Sequence, residues 1–362
     1  MAFSKQNLQS LITVAVENGA SDVHIRMDES PAFRIRGELI PVQTKAFAQE
    51  DIVDLLSILL GESLKKESLD KISETDGSFE IEDLCRLRFN SFRYSGKTGV
   101  VLRIVSMKVP SVGELGLPPI IKTISNRRRG LVMVTGATGS GKSTTLASMI
   151  DHINETRGCH IVTIEDPVEY LHSQKKSRIS QREVGSDTHD FTSALRSALR
   201  QDPDVILIGE MRDPETVGIA LKAAETGHAV FSTVHTTDAI STIGRIISMF
   251  PPEEQDEVRK RLSENLTAIV SQRMLKAINK KKVVIAQEIM INNTGVKECI
   301  MGKEPLSRIN TIIAQGRTPN GEGSQTFDQH IINLYERGVI SKETALSAAT
   351  SQTDFLKKMV VD

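Results

Sequence analysis

Nine residues, Gly136-Ala-Thr-Gly-Ser-Gly-Lys-Ser-Thr144, constrain this chain more than any other stretch. They follow the apolar run Leu131-Val-Met-Val134 and precede the helix-prone Leu146-Ala-Ser-Met149. A strand, a glycine turn and a helix in that order are the context that the pattern G-x-x-x-x-G-K-[ST] requires. Gly136, Gly139 and Gly141 let the backbone wrap, so that the N–H groups of Thr138, Ser140 and their neighbours and the helix N-terminus face a triphosphate. Lys142 then reaches the β- and γ-phosphates, the Ser143 hydroxyl is a ligand for Mg²⁺, and Thr144 completes the loop. The expected ligands are ATP and Mg²⁺.

The bulk properties narrow the remaining choices. With 362 residues the chain is long enough for two domains with their own cores. Its 45 basic and 46 acidic side chains nearly cancel, so no global charge draws it to nucleic acid. The basic clusters Arg127-Arg-Arg129 and Lys280-Lys-Lys282 are local and read as solvated turns. Cys85, Cys159 and Cys299 are far apart and odd in number, which fits neither a disulfide framework nor a C-x-x-C zinc knuckle and points to a reduced compartment. No apolar stretch has the length of a membrane span, and the N-terminus lacks a signal-peptide core. The expected location is cytoplasmic; work at a membrane would need a partner to hold the chain there.

The pattern of elements changes once along the chain. Residues 6–18 read as an amphipathic helix, with Leu8, Leu11, Ile12 and Val16 on one stripe. Alternating runs at Asp22–Ile25 and Ala32–Arg36, a helical stretch over Ala48–Leu60, and strand-like runs at Ser78–Ile81, Leu87–Phe92 and Gly99–Ile104 follow. This predicts a compact α+β domain over residues 1–108. Residues 109–119, rich in Pro and Gly, read as an interdomain linker. From 120 to 300 strands alternate with helices, which predicts an α/β domain built on a parallel sheet. Its strand candidates are Leu131–Val134, Ile161–Ile164, Val205–Ile208, Ala229–Thr233 and Val283–Ile289. Residues 301–362 read as mostly helical, with the glycine-rich loop Gly316–Gly323 inside them.

Three further elements carry chemistry. Asp204-Val-Ile-Leu-Ile-Gly-Glu210 is an apolar strand ending in an acid, the place where P-loop enzymes hold the Mg²⁺ shell or polarise water. Ile161-Val-Thr-Ile-Glu165-Asp166-Pro167 ends in an acidic turn, in which a carboxylate either orders the attacking water or merely caps the strand. Gly227-His228-Ala-Val-Phe-Ser-Thr-Val-His235 places two histidines at opposite ends of a strand. That separation makes a shared metal implausible and leaves a γ-phosphate sensor, an intersubunit contact or plain surface residues.

In this order and spacing the motifs resemble those of the secretion ATPase superfamily that powers type II secretion and type IV pili. Its marks are a Walker A loop, an aspartate box, a Walker B segment ending in Gly-Glu, and a histidine box. Ala20-Ser-Asp-Val-His24 with Arg34-Ile-Arg-Gly37 is similar to the start of that family's N-terminal PAS-like domain. Gln181-Arg-Glu-Val-Gly185 and Leu199-Arg-Gln-Asp-Pro-Asp204 are similar to further family segments. Gly323-Ser-Gln-Thr-Phe-Asp-Gln329 and Gly338-Val-Ile-Ser341 resemble the C-terminal region of the PilT-type pilus retraction ATPases of twitching motility. The resemblance implies a PAS-like domain joined to a RecA-like P-loop ATPase core. It also implies phosphate binding by Lys142, Mg²⁺ held by Ser143 and Glu210, and Glu165 as the catalytic glutamate. His228 and His235 fall on the histidine-box positions, and Arg88 and Arg103 on those of arginines that the family points at the γ-phosphate. Cationic donors there suit phosphoryl transfer, which depends on positioning and electrostatics.

Extension and type II secretion ATPases carry an extra N-terminal domain, and many carry a four-cysteine zinc site. Here the P-loop begins at residue 136 and no C-x-x-C pair exists, which favours the retraction branch. One segment departs from that branch, whose members usually carry Ala-Ile-Arg-Asn-Leu-Ile after the last sheet strand. The matching stretch is Gly295-Val-Lys-Glu-Cys-Ile300, where Lys297 keeps the charge but loses the planar fork of an arginine. The expectation is a homohexameric ATPase at the inner-membrane base of a type IV pilus, working on a platform protein to drive pilin disassembly. The alternatives are an accessory (PilU-like) retraction paralogue, a secretion or pilus-assembly ATPase, and a nucleotide-gated interaction module. A nucleic-acid translocase fits poorly, given the balanced charge and the lack of a basic-aromatic groove.

Overall fold

A computed structural model describes residues 3–352 and 355–356, apart from Arg36, residues 62–73, Asp83, residues 280–282 and residues 317–322. The basic cluster Lys280–Lys282, most of the loop Gly316–Gly323, and Arg36 of the Arg34–Gly37 motif therefore lie outside the described residues. The chain divides into two compact units, residues 1–108 with 169–171, and residues 109–168 with 172–362.

The first unit is built on a six-stranded sheet in the order β3-β2-β1-β6-β5-β4, antiparallel throughout. Its strands are β1 Ala20–Arg26, β2 Ala32–Ile35, β3 Glu38–Pro41, β4 Glu74–Ile81, β5 Cys85–Tyr94 and β6 Lys97–Ser106. Strand β5 shows the period of two: Cys85, Leu87, Phe89 and Ser91 are buried, while Arg86, Arg88 and Asn90 are only half-buried. The apolar stripe of helix Lys5–Glu17 (Leu8, Ile12, Ala15) and that of helix Gln49–Leu60 (Ile52, Leu55, Leu56, Leu59) close the core over this face.

The second unit holds a seven-stranded sheet in the order β13-β12-β7-β11-β10-β8-β9. The strands are β7 Gly130–Gly136, β8 His160–Glu165, β9 Arg178–Glu183, β10 Val205–Ile208, β11 Ala229–Val234, β12 Leu266–Lys276 and β13 Val283–Ile291. All neighbours pair in parallel except β12 and β13. Every residue of β7, β10 and β11 is buried, as expected of parallel strands covered on both faces. On one face Leu131, Met133, Ile206, Ile208 and Val230 meet helices Phe191–Ala198, Pro214–Glu225, Ala239–Ser248 and Gln255–Asn265. On the other, Val132, Val134, Val205, Leu207 and Phe231 meet helices Ile120–Ser125 and Lys142–Thr156. The helix starts are fixed locally: Asp190, Asp213, Asp238 and Asn293 each accept a hydrogen bond from a backbone N–H three residues on.

Three strands are absent from the sequence candidates, and each for a physical reason. Strand β3 is short and exposed along its length. Strand β9, Arg-Ile-Ser-Gln-Arg-Glu, is a polar edge strand without an apolar run. Strand β12 leaves helix Gln255–Asn265 directly, with no Gly or Pro to mark the change of period. The segment 109–119 packs within the second unit, where Val112 and Leu117 are buried beside Ile120 and Ile121.

The mostly helical C-terminal part contains helices Thr294–Ile300, Arg308–Gln315, Phe327–Glu336 and Lys342–Ala348. Phe327, Ile331, Leu334, Ile340, Ala345 and Phe355 pack with Leu275 of β12 and Ala286 of β13, and the Arg273 guanidinium lies 3.9 Å from the Phe327 ring centroid. The divergent segment forms helix Thr294–Ile300, with Val296, Cys299 and Ile300 fully buried. A side chain at Gly295 would place its Cβ 3.1 Å from Ile312 Cδ1, so glycine there lets the helix sit close to helix Arg308–Gln315.

Phe231 stands at the centre of β11 with no exposed surface. Phe231→Ala should lower the stability of the second unit by about 3–5 kcal/mol through lost transfer energy and an unfilled cavity. Urea denaturation followed by a probe in that unit checks this.

Candidate nucleotide-binding site

The parallel register decides where the chemistry gathers. Ile208 of β10 pairs with Ile164 of β8 and Ser232 of β11, and Val234 of β11 pairs with Thr135 of β7. The carboxyl ends of these four neighbouring strands therefore share one edge. There the chain places the loop after Thr135, Glu165, Gly209-Glu210 and His235. In open parallel sheets ligands bind outside that edge.

The loop is shaped by backbone conformations that favour glycine. Gly136, Gly139 and Gly141 have φ of 147°, 77° and 88°. At Gly136 a Cβ would fall 2.5 Å from Ser140 Oγ and 2.7 Å from the Gln272 carbonyl oxygen, so the first glycine is also a requirement of close packing. Helix Lys142–Thr156 starts directly after Gly141 and turns its N-terminal N–H groups to the loop. Thr138 and Ser143 are exposed, Thr144 half-buried, and Ser140 and Lys142 buried. The Lys142 ammonium donates to the carbonyl oxygens of Gly136 at 2.9 Å and Ala137 at 3.1 Å. With three N–H donors, the Lys142 ammonium can serve phosphate oxygens as well.

Two carboxylates face the same edge and are held differently. Glu165 Oε1 accepts from the buried Thr163 hydroxyl at 2.7 Å and from Gln181 Nε2, on β9, at 3.3 Å. The turn after it is fixed by Glu183, whose carboxylate accepts the Val168 N–H at 3.1 Å. Glu210 is bound by Arg212, whose Nε donates to Oε2 at 2.7 Å, and lies 3.4 Å from His235 Nε2 through Oε1. Gly209 permits their approach: a Cβ there would sit 3.3 Å from both Glu165 Cα and the Ile164 carbonyl oxygen. Thr233 Oγ1 donates to the Gly209 carbonyl at 2.6 Å and ties β11 to the same turn.

His235 is thus brought to the edge beside Glu210, whereas His228 is not. His228 precedes β11, and its Nδ1 lies 2.9 Å from the Ala223 carbonyl and 3.1 Å from the Thr226 hydroxyl. The length of β11, six residues or about 20 Å, separates the two histidines. Arg88 and Arg103 belong to the first unit, where they stand directly opposite each other on β5 and β6. Like charges in that position repel. Asp22, accepting from Arg103 Nε at 3.1 Å, offsets part of the repulsion.

Residues of β12 and β13 at this edge escaped the sequence reading. Gln272 pairs in register with Gly136, and Glu288 Oε1 accepts the Ala239 N–H at 2.9 Å, at the start of the helix that follows His235. Burial pushes the Glu288 carboxyl up to about 7, opposed by its bond to Ala239 and by Arg273, and reinforced by Asp238 and Asp328. Glu288 lies inside the apolar run Val283–Ile289 and reads as an ordinary strand residue, and Gln272 lies on β12, which the sequence does not mark as a strand. Arg212, two residues beyond Glu210, was equally unmarked.

No cluster of three His, Cys, Asp or Glu side chains able to hold a metal exists among the described residues. The donor set at the edge, one hydroxyl and one carboxylate, suits a cation such as Mg²⁺ that keeps waters and takes phosphate oxygens as its other ligands. With this geometry in hand, residues 1–336 match the type II/IV secretion system protein family. The chain belongs to that family. It is 41% identical over 349 residues to the type IV pilus retraction ATPase PilT of Pseudomonas aeruginosa, covering 96% of this chain and all of that one. To the type IV pilus ATPase PilU of the same organism it is 35% identical, covering 96% of this chain and 89% of the relative. Among solved structures, the pilus retraction motor PilT with bound ADP superposes with a TM-score of 0.84 at 40% identity, covering 96% of this chain and 98% of that one. As a member of this family the chain is an ATPase.

Two outcomes follow from the site. Gly209→Ala should push the Walker B turn from Glu165 by tenths of an ångström and lower kcat at least about tenfold, because misplacement at a reacting centre is costly. ATP turnover against ATP affinity separates this from a folding defect. Glu288, an acid whose folded pKa is raised from 4.5 to about 7, contributes stability that is fully present below pH 4.5 and is lost as pH rises from there through 7. Unfolding free energy should fall by on the order of 2 kcal/mol from pH 5 to pH 8, and Glu288→Gln should flatten the slope.

Proposed function

We propose that this chain is the ATPase motor of type IV pilus retraction, a homohexamer that converts ATP hydrolysis into pilin disassembly and twitching motility. The observation that carries the proposal is the joint presence, on one sheet edge, of the glycine loop, Glu165, Glu210 and His235 in a chain that matches a retraction ATPase along its whole length. The names PAS-like for residues 1–108 and RecA-like for residues 120–300, with 109–119 between them and a helical region over 301–362, belong to the same reading. They are supported by an antiparallel sheet with two covering helices in the first unit and by the mostly parallel P-loop sheet in the second.

In this reading the N–H groups of the loop and Lys142 bind the phosphates. Ser143 and Glu210 would hold Mg²⁺, which would supply positive charge to offset that of the phosphates. Glu165, kept in place by Thr163 and Gln181, accepts a proton from the attacking water. His235, beside Glu210, acts as the sensor of the terminal phosphate, and His228 at the far end of β11 serves a contact between subunits. Arg88 and Arg103 provide the cationic donors for charge that develops during transfer. Among the described residues no helix is long and apolar enough to cross a membrane, so action at the pilus base would require docking on an inner-membrane platform protein.

Identity of 41% to PilT against 35% to PilU favours the principal motor over the accessory paralogue. Purified protein should hydrolyse ATP and sediment as a six-fold ring. Glu165→Gln and Glu210→Gln should bind ATP yet lose about two to four orders of magnitude in turnover. Parent-like turnover in both variants would assign the carboxylates to turn structure and support a nucleotide-gated interaction module instead.

A further inference from the structure

Two buried glutamines lie beside the phosphate loop, in a region otherwise filled by Val270, Ile285 and Ile289. Gln272 of β12 is 2% exposed and Gln287 of β13 is fully buried. The Gln272 amide nitrogen donates to the carbonyl oxygen of Ser140 at 3.1 Å. Its amide oxygen accepts from Gln287 Nε2 at 3.3 Å, across the β12–β13 pair in which the two residues are directly opposed. Gln287 is fixed through its own backbone. Its N–H donates to His330 Nδ1 at 2.9 Å, and its carbonyl accepts from Gln325 Nε2 at 3.1 Å. The row thus runs from the loop, through both amides, to the start of helix Phe327–Glu336.

Burying primary amides beside Val270, Ile285 and Ile289 is costly where bonds stay unmade, and the buried Gln287 amide oxygen has no hydrogen-bond partner. Two apolar side chains would fill the same space without that cost, so the arrangement points to a task at the one loop group it reaches. That task follows from the loop's carbonyls. Those of Gly136 and Ala137 are held by Lys142, and that of Ser140 by Gln272. When nucleotide enters, the Lys142 ammonium, which has three N–H donors, must also serve the phosphates. The Ser140 carbonyl stays held by Gln272, and the Gly141 N–H of the same planar trans peptide points the opposite way.

We propose that Gln272 is a positioning residue for ATP. Its amide, oriented by Gln287, keeps the Ser140–Gly141 peptide turned so that the Gly141 N–H stays presented to phosphate while Lys142 binds it. Gln272 touches no substrate itself. The inference rests on the reading of residues 136–144 as the ATP site, and the test is arranged so that each can fail separately.

The double variant Gln272→Leu/Gln287→Leu removes both amides together and leaves neither half of the pair unsatisfied, so the ligand-free protein should melt near the parent temperature. Its KM for ATP and its Kd for ADP should rise about tenfold, with kcat changed less than threefold, because the lost interaction serves bound substrate and transition state alike. Gln287→Leu alone should raise KM by a smaller factor. If the double variant does not fold, Gln272→Asn, which keeps an amide but withdraws it by one methylene, should raise KM and the ADP Kd in the same direction. Parent-like nucleotide affinity in the folded double variant, or in Gln272→Asn if the double variant fails to fold, would overturn the proposal and leave the glutamines as core packing. Lys142→Ala, measured alongside, separates the two levels. If it abolishes binding while the glutamine variants do not alter it, only the tether is refuted. If Lys142→Ala also binds ADP like the parent, the ATP-site reading falls, and the tether with it.

Discussion

Parallel pairing of β7, β11, β10 and β8 is the constraint on which the rest of the molecule depends. Side chains that are far apart in sequence, from the loop at 136 to His235, meet because four strands run the same way and stop at the same edge. Parallel pairing in turn requires crossover helices on both faces, and burial of β7, β10 and β11 on both sides explains why they are unbroken apolar runs. The same requirement places a helix N-terminus after several strands, and after β7 that helix begins within the phosphate loop. Chemistry and packing here are consequences of one topology.

The edge is closely built. Gly136 admits the Gln272 backbone, and Gly209 admits that of Glu165, so the first glycine of the loop and the glycine before Glu210 serve approach as much as conformation. The polar groups at the edge answer one another: Lys142 rests on loop carbonyls and Glu210 is engaged by Arg212 and His235.

Much of this was legible in the sequence because local rules carry it. The loop was found by its spacing and flanks, and β7, β8, β10 and β11 by apolar runs that only a doubly covered strand needs. Glu165 and Glu210 stand at that edge because Glu165 ends one such strand and Glu210 follows the carboxyl end of another. What was missed depends on partners distant in sequence. Nothing in Arg178–Glu183 marks an edge strand, since Ile179 is its one apolar residue and no run or alternation results. Gln272 and Glu288 carry meaning only once β12 lies against β7 and the helix after His235 begins beside β13. The two histidines illustrate the limit well. Sequence placed them at opposite ends of a strand, and the strand's direction alone brings His235 to Glu210 while sending His228 to the other edge.

The central claim is that this ATPase pulls pili. The most direct measurement is the retraction of single pili held in an optical trap, in a strain whose only ATPase of this family, apart from the one that extends the pilus, is this chain. The account predicts retraction against load that stops when Lys142 is replaced by alanine. Pili that extend normally but never shorten in that strain, with the protein present and hydrolysing ATP, would contradict it.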